Sequence, residues 1–214
     1  MQINWNGLGS FTVVGKPFTG DVTIVTDPYD ASVGMKFPRN LAASIVVSSH
    51  VGEMANNIKE VAGEDAKHPF VIDHAGEFEV KGVFVTGVRA VRKDGADHTI
   101  YRIDLEDVSI GFLGALDRVL TDKEVEALGT VDVLILPVGG GSVIDKSIAS
   151  DITAQIEPRL VIPSHFAVKG LKEKFESVQG FCEEVSCSSE ESKKLKLTRN
   201  SLPQEDMQVT VLSR

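Results

Sequence analysis

The chain has 214 residues, enough for one domain with a full hydrophobic core. Apolar residues make up 42% and charged residues 25%, which argues against a disordered tail, a collagen or a coiled coil. The formal net charge of −9 works against binding to phosphate backbones, so nucleic acid is not an expected partner. Lys193, Lys194 and Lys196 form a small basic cluster that reads as a solvated face.

The opening Met1-Gln-Ile-Asn-Trp has no basic region followed by an apolar run, and no apolar stretch approaches the roughly 18 residues of a membrane span. A cytoplasmic protein without membrane contact is the expectation. Cys182 and Cys187 are too few for a disulfide framework and have no zinc-finger spacing, so they read as reduced, partly buried thiols.

In chain order, the first half reads as strands separated by turns. Ser10–Val14 and Val22–Thr26 are β-rich, the second ending at the turn signal Asp27-Pro28. Ala43–Ser48 is a short apolar run of the kind buried on both faces. Met54–Ala62 has apolar residues at helical spacing. Phe70–Ile72, Glu77–Lys81 and Val83–Val91 read as strands divided by Gly76 and Gly82, and Tyr101–Leu105 with Val108–Leu113 as a hairpin.

The second half changes rhythm. Thr121 and Glu124 have capping-box spacing at the start of a helix over Thr121–Leu128. Val131–Val138 is a buried strand, Ile144–Gln155 a helix, Leu160–Pro163 a buried strand and Gly170–Ser177 a charged helix. Lys194–Thr198 and Val209–Leu212 read as terminal strands. Antiparallel strands followed by strand–helix units suit a sandwich of two sheets with helices outside, in one domain over residues 1–214.

Candidate chemistry sits beyond the strand ends. Gly139–Ser142 lacks the Lys-Ser/Thr ending of a phosphate loop and reads as a tight turn passing close to another element. Of the five histidines, His50, His68, His74, His98 and His165, no two share a helix face by spacing. His50 and His165 end apolar strands, where a ligand or a general base often stands. There is no G-x-S-x-G elbow for a serine nucleophile, and side chains that alternate along a strand would keep Ser49 and His50 apart.

Taken in order, a set of segments resembles the metallo-β-lactamase-fold, zinc-dependent hydrolases of the small bacterial type related to the ascorbate-phosphate lactonases. They are Gly7-Leu-Gly-Ser-Phe11, Thr23-Ile-Val-Thr-Asp-Pro-Tyr29, Ile45-Val-Val-Ser-Ser-His50, Gly76-Glu-Phe-Glu-Val-Lys-Gly82, Val131-Asp-Val-Leu-Ile-Leu-Pro137 with Gly139–Gly141, and Glu157-Pro-Arg-Leu-Val-Ile-Pro-Ser-His-Phe166. The resemblance implies an α+β, four-layer αββα sandwich. It also implies a His-x-His-x-Asp-His metal motif, whose first His falls on His50 and whose other ligands fall on Gly52, Met54 and Ala55. A later His-x-Gly-Asp segment, whose Asp bridges the metals, falls on Phe112-Leu-Gly-Ala115, the last His on His165, and a Gly-His near the N-terminus on Gly7-Leu8.

Zinc needs three or four N, S or O ligands, and Gly, Met and Ala supply none of the imidazole or carboxylate donors. With His50 and His165 as the remaining, vestigial metal positions, no metal cofactor is expected, and water keeps a pKa near 15.7 rather than the roughly 7 reached on catalytic zinc. Three functions follow as expectations. The first is a metal-free pseudoenzyme with a pocket for a small molecule or protein partner. The second is a zinc or manganese hydrolase of phosphodiesters or lactones whose site is rebuilt with Glu53, Asp73, His74 or Asp117. The third is a structural homo-oligomer.

Overall fold

A computed structural model describes residues 1–64, 68–187 and 191–214. Two mixed sheets share a core. The first runs in the order Leu195–Lys196, Gln2–Gly7, Ser10–Gly15, Val22–Thr26, Ile45–Val47 and Phe70–Ile72. The second runs Gln208–Val209, Leu160–Ser164, Val133–Pro137, Val108–Phe112, Asp97–Leu105, Val83–Val91 and Gly76–Val80. Ile3, Phe11, Ile24 and Ile45 of the first sheet meet Val85, Ile100, Ile103 and Phe112 of the second in one cluster. This is the α+β sandwich that the segment order implied.

Val133–Pro137 and Leu160–Ser164 are buried at every position, as strands covered on both faces must be. Outside them lie α1 (Asp122–Leu128), α2 (Lys146–Ile156) and α3 (Val178–Glu184), with α2 packed on α3 and on Val133–Pro137. The Thr121–Glu124 capping box forms as its spacing predicts. On the far side of the first sheet the outer layer consists of loops and two 3-10 turns, Ala31–Val33 and Ile58–Glu60. There Val25 and Val46 pack under Tyr29, Met35 and Phe37.

Some segments depart from the sequence expectations. Gln2–Gly7 is a strand, with Ile3 and Trp5 buried in alternation. The apolar spacing of Met54–Ala62 gives no α-helix: the amides of Ala55 and Asn56 both bond Gly52 O, and that of Asn57 bonds Pro28 O, leaving one 3-10 turn at Ile58–Glu60. Residues 170–177 are a strap rather than a helix. The Lys172 amide bonds Val33 O and the Glu176 amide bonds Gly139 O, so the helix begins only at Val178. Cys182 and Cys187, expected as thiols, form a disulfide at the end of α3, where the Cys187 amide bonds Cys182 O and brings the two residues together.

Parallel pairing places the site. Thr26 pairs with Val47 and Pro137 with Ser164, so the loops at Asp27, Ser48–His50, Gly139 and His165 leave the carboxyl ends of parallel strands together. Gly139 forms the expected close approach, since a Cβ there would stand 2.0 Å from His165 O.

Candidate functional site

The site grows from three chain reversals. Leu8, Asp27 and His165 all take left-handed backbone conformations, with φ of 52°, 34° and 49°. Each costs on the order of 1 kcal/mol or more for a residue with a side chain. They surround Gly9, where a Cβ would lie 2.8 Å from His165 Cε1 and 2.9 Å from Asp27 Oδ2. Only a residue without a side chain lets the imidazole and the carboxyl stand this close.

Asp27 is fully buried. Its Oδ1 accepts from the Ser49 amide at 2.7 Å, and its Oδ2 lies 2.7 Å from Ser49 Oγ. Burial raises its pKa to about 8, against the lowering effect of those bonds. Ser49 Oγ is also 3.0 Å from His50 Nδ1, a pairing that strand alternation had argued against. The strand ends at Val47, so residues 48–50 follow a loop path in which neighbours can share a side.

His98 is the residue that sequence reasoning missed. It is buried on Asp97–Leu105, and the bond from the Thr99 amide to Ser49 O holds that strand against the His50 loop. The ring centroids of His98 and His50 are 5.6 Å apart. His98 Nε2 lies 2.8 Å from Leu113 O, and a carbonyl can only accept, so this nitrogen carries the proton. Its Nδ1 is then a bare lone pair, buried with no hydrogen-bond partner among the described residues. The sequence carries little signal for it, because alternation along Asp97–Leu105 puts His98 in phase with the half-buried Arg102 and Asp104.

His165 Nδ1 lies 3.1 Å from Ser164 Oγ, while its Nε2 is buried beside the edge-on ring of Phe175 with no hydrogen-bond partner among the described residues. Desolvation holds all three imidazoles neutral, lowering the pKa to about 4 for His50 and His98 and about 3 for His165. A cleft of about 490 Å³ opens over His50, walled by Leu8, Val33, Met54, Leu171 and Arg92. Arg92 is committed: its guanidinium donates to Ala115 O at 2.6 Å and Ser142 O at 2.7 Å and lies 3.7 Å from Asp117.

Residues 2–165 match the family model of the beta-lactamase superfamily domain. The chain belongs to that superfamily. A metal-dependent hydrolase of the UPF0173 group from Thermoplasma acidophilum is 21% identical, the alignment covering 84% of this chain and 91% of the relative. A solved structure from Thermotoga maritima, described as a candidate Zn-dependent hydrolase of the metallo-β-lactamase superfamily, is 28% identical with a TM-score of 0.79, over 99% of this chain and 97% of that one. A metallo hydrolase from Ignicoccus hospitalis shares the fold at 16% identity and a TM-score of 0.65, over 86% of this chain and 90% of that one.

The superfamily's metal does not fit the residues present. Leu8, Ala55, Phe112 and Ala115 are each no more than 1% exposed and offer no donor atom; Leu8, Phe112 and Ala115 sit in the apolar clusters. Gly52 offers none either. A Cβ there would fall 3.3 Å from His50 Nε2, so the His50 ring lies over the space a side chain at position 52 would take. Among the described residues, no group of three or more His, Cys, Asp or Glu is arranged to hold a metal ion. Of the alternative ligands, Glu53 reaches the rim of the cleft. Asp73 and His74 pair with each other on an exposed turn at 3.0 Å, and Asp117 accepts from the Lys93 amide and faces Arg92. No helix among the described residues is long and apolar enough to cross a membrane.

Proposed function

We propose that this chain is a metal-free member of the superfamily that uses its cleft for binding instead of hydrolysis. The observation that carries the reading is the joint replacement at Leu8, Ala55, Phe112 and Ala115, all buried and all apolar around two surviving histidines. A cluster of carboxylates kept there without a cation would be costly through desolvation and mutual repulsion, and several replacements together remove that cost. Without a metal there is neither an activated water nor a Lewis acid for the superfamily's hydrolysis.

The test is elemental analysis of protein purified without a histidine tag, before and after incubation with zinc and manganese. Metal well below one equivalent in both samples is expected; near-stoichiometric zinc, manganese or iron overturns the proposal. A variant carrying Leu8→His, Gly52→His, Met54→Asp, Ala55→His and Ala115→Asp is expected to gain zinc binding and to melt higher with zinc than without it.

A second reading, a divalent-metal hydrolase of phosphodiester or lactone substrates, draws on His98, which adds a third imidazole beside His50. It also draws on relatives named as metal-dependent hydrolases. Under that reading the purified protein turns over such a substrate and a His50→Ala/His165→Ala variant does not.

A further inference from the structure

We infer that the end of the sandwich opposite the cleft is a self-association face, where the exposed rings of Phe18 and Phe84 bind a second copy of this chain across a two-fold axis. The inference stands whether the cleft binds or hydrolyses.

Asp27 follows the carboxyl end of Val22–Thr26, and the turn of residues 16–21 enters the same strand at its other end. Three turns meet there. The Thr19 hydroxyl donates to Lys81 O at 2.5 Å, and the Lys16 amide donates to the Glu106 carboxylate. The Gly20 amide closes the first turn on Pro17 O at 3.0 Å. A Cβ on Gly82 would lie 3.1 Å from Thr19 Oγ1, so the second sheet braces the turn closely. Phe18 stands on this braced turn, yet 95% of it is exposed. Alternation along Val83–Val91 turns Phe84 outward, opposite Glu79 and Asp104, and leaves it 52% exposed. Both rings line one groove of about 840 Å³, together with Pro17, Leu105 and Val108. A single exposed ring is ordinary, but two on one groove, one held out by a fixed turn, form a patch that association would bury.

Charge decides the partner. Two chains of net charge −9 repel, but physiological salt screens exposed charges beyond about 8 Å, so the charges of the groove itself count most. Five charged residues line it: Lys16, Asp104, Glu106, Asp107 and Arg199. Three are answered within the chain. Glu106 pairs with the Met1 ammonium at 2.5 Å, Asp104 with Arg102 at 2.9 Å and Arg199 with Asp132 at 2.6 Å. Lys16 reaches Asp21 at 3.4 Å with both side chains more than three-quarters exposed, a pair that holds weakly in water. Asp107 has no ion pair among the described residues. The groove thus offers one loosely held cation and one carboxylate, which is the arrangement a two-fold interface requires. Lys16 of each copy meets Asp107 of the other while Phe18 of each covers Phe84 of the other. A strongly acidic or basic partner would find one like charge for every opposite one. Twelve residues line the groove, about half of one side of a standard interface, so the dissociation constant is expected on the order of 100 μM. The cleft mouths, at the opposite ends, stay open in such a pair.

Sedimentation equilibrium of the full chain, from about 10 μM to about 1 mM in about 0.15 M salt, tests the face. A monomer–dimer equilibrium is expected. Phe18→Ser is expected to raise its dissociation constant about 10-fold or more without lowering the melting temperature, since the ring is bare in the monomer. Val51→Ser removes an apolar side chain that is 90% exposed at the cleft mouth and is expected to leave the constant unchanged. Lys16→Asp and Asp107→Lys are each expected to weaken the dimer about 3- to 10-fold, and the double variant, which exchanges the two charges, to restore it. A chain that stays monomeric at about 1 mM overturns the inference and leaves the face to a partner of other chemistry. A dimer indifferent to Phe18→Ser, or oligomers that grow without closing at two, overturns it as well. Should Phe18→Ser melt lower than the wild type, the charge reversals decide, and failure of the double variant to recover what the single variants lose is the refuting result.

Discussion

Gly114→Ala is the sharpest test of how tightly the buried site is assembled. Gly114 has φ +56°, and a Cβ there would lie 2.2 Å from Ser49 Oγ, 2.4 Å from Ser49 Cβ and 3.1 Å from His98 Cε1. Ser49 cannot swing aside cheaply, because its amide and hydroxyl are both tied to Asp27 and its carbonyl accepts from Thr99. The left-handed conformation costs about 1 kcal/mol for alanine, and overpacking a fixed core site adds about 1–3 kcal/mol. The sum, about 2–4 kcal/mol, corresponds to a fall in melting temperature of about 4–16 °C for a chain of this size. Gly95→Ala supplies the control, because Gly95 has φ +85° with nothing within 4 Å, so it carries the backbone cost without the collision. Calorimetric melts of the two variants beside the wild type make the comparison. If Gly114→Ala melts within about 2 °C of Gly95→Ala, the packing of Ser49 and His98 against Gly114 is not as described.

The remaining predictions concern pH, Arg92 and the disulfide. His50, His98 and His165 have folded pKa values lowered to about 4, 4 and 3, so the unfolded chain binds protons first as pH falls from about 6.5; their contribution to stability is complete above that value and is lost on acidification toward pH 4. Asp27, raised to about 8 from 3.8, has the opposite sign: its contribution is complete below pH 3.8 and is lost as pH rises through 8. The melting temperature is therefore expected to peak near pH 6–7, with Asp27→Asn flattening the decline between pH 6.5 and 8; a wild-type curve still rising over that interval would contradict the burial of Asp27. Arg92→Ala strands the Ala115 and Ser142 carbonyls and is expected to cost about 1–3 kcal/mol in urea unfolding, a loss that Arg92→Lys recovers only in part because one ammonium cannot span both oxygens. Reducing the Cys182–Cys187 bond, which closes a loop of sequence separation 5, is expected to lower stability by about 2 kcal/mol, read from melts with and without reductant; thiol titration of the native protein that finds two free thiols would remove the bond from the account.

Much of the sandwich could be read before any coordinates, because burial writes itself into short apolar runs. Val22–Thr26 and Val83–Val91 fall where their β-branched patterns put them, and Val133–Pro137 and Leu160–Ser164 are the interiors of runs with no polar face to show. The failures share a cause. At Met54–Ala62 and residues 170–177 the local pattern suits a helix, but the amides are taken by Gly52, Pro28, Val33 and Gly139, partners that a sliding window cannot include. The disulfide escaped for a different reason: spacing alone does not bring Cys182 and Cys187 to bonding distance, whereas the unwinding at the end of α3 does.

The amino-acid order by itself determined the α+β class and the two histidines at the ends of buried strands, and the family resemblance set the donor-free Leu8, Gly52, Met54, Ala55 and Ala115 against the motif, because each of these is a matter of residue type at a position along one strand or loop. Only the tertiary structure decided that His98 stands beside His50, that Gly9 and Gly114 make room for the buried groups, and that Asp27 speaks to His50 through Ser49. Those relations join residues up to 156 positions apart, as with Gly9 and His165, or depend on which way a loop turns after its strand ends. Hydrogen-bond direction is set by what lies opposite in space, and the linear sequence carries no record of it.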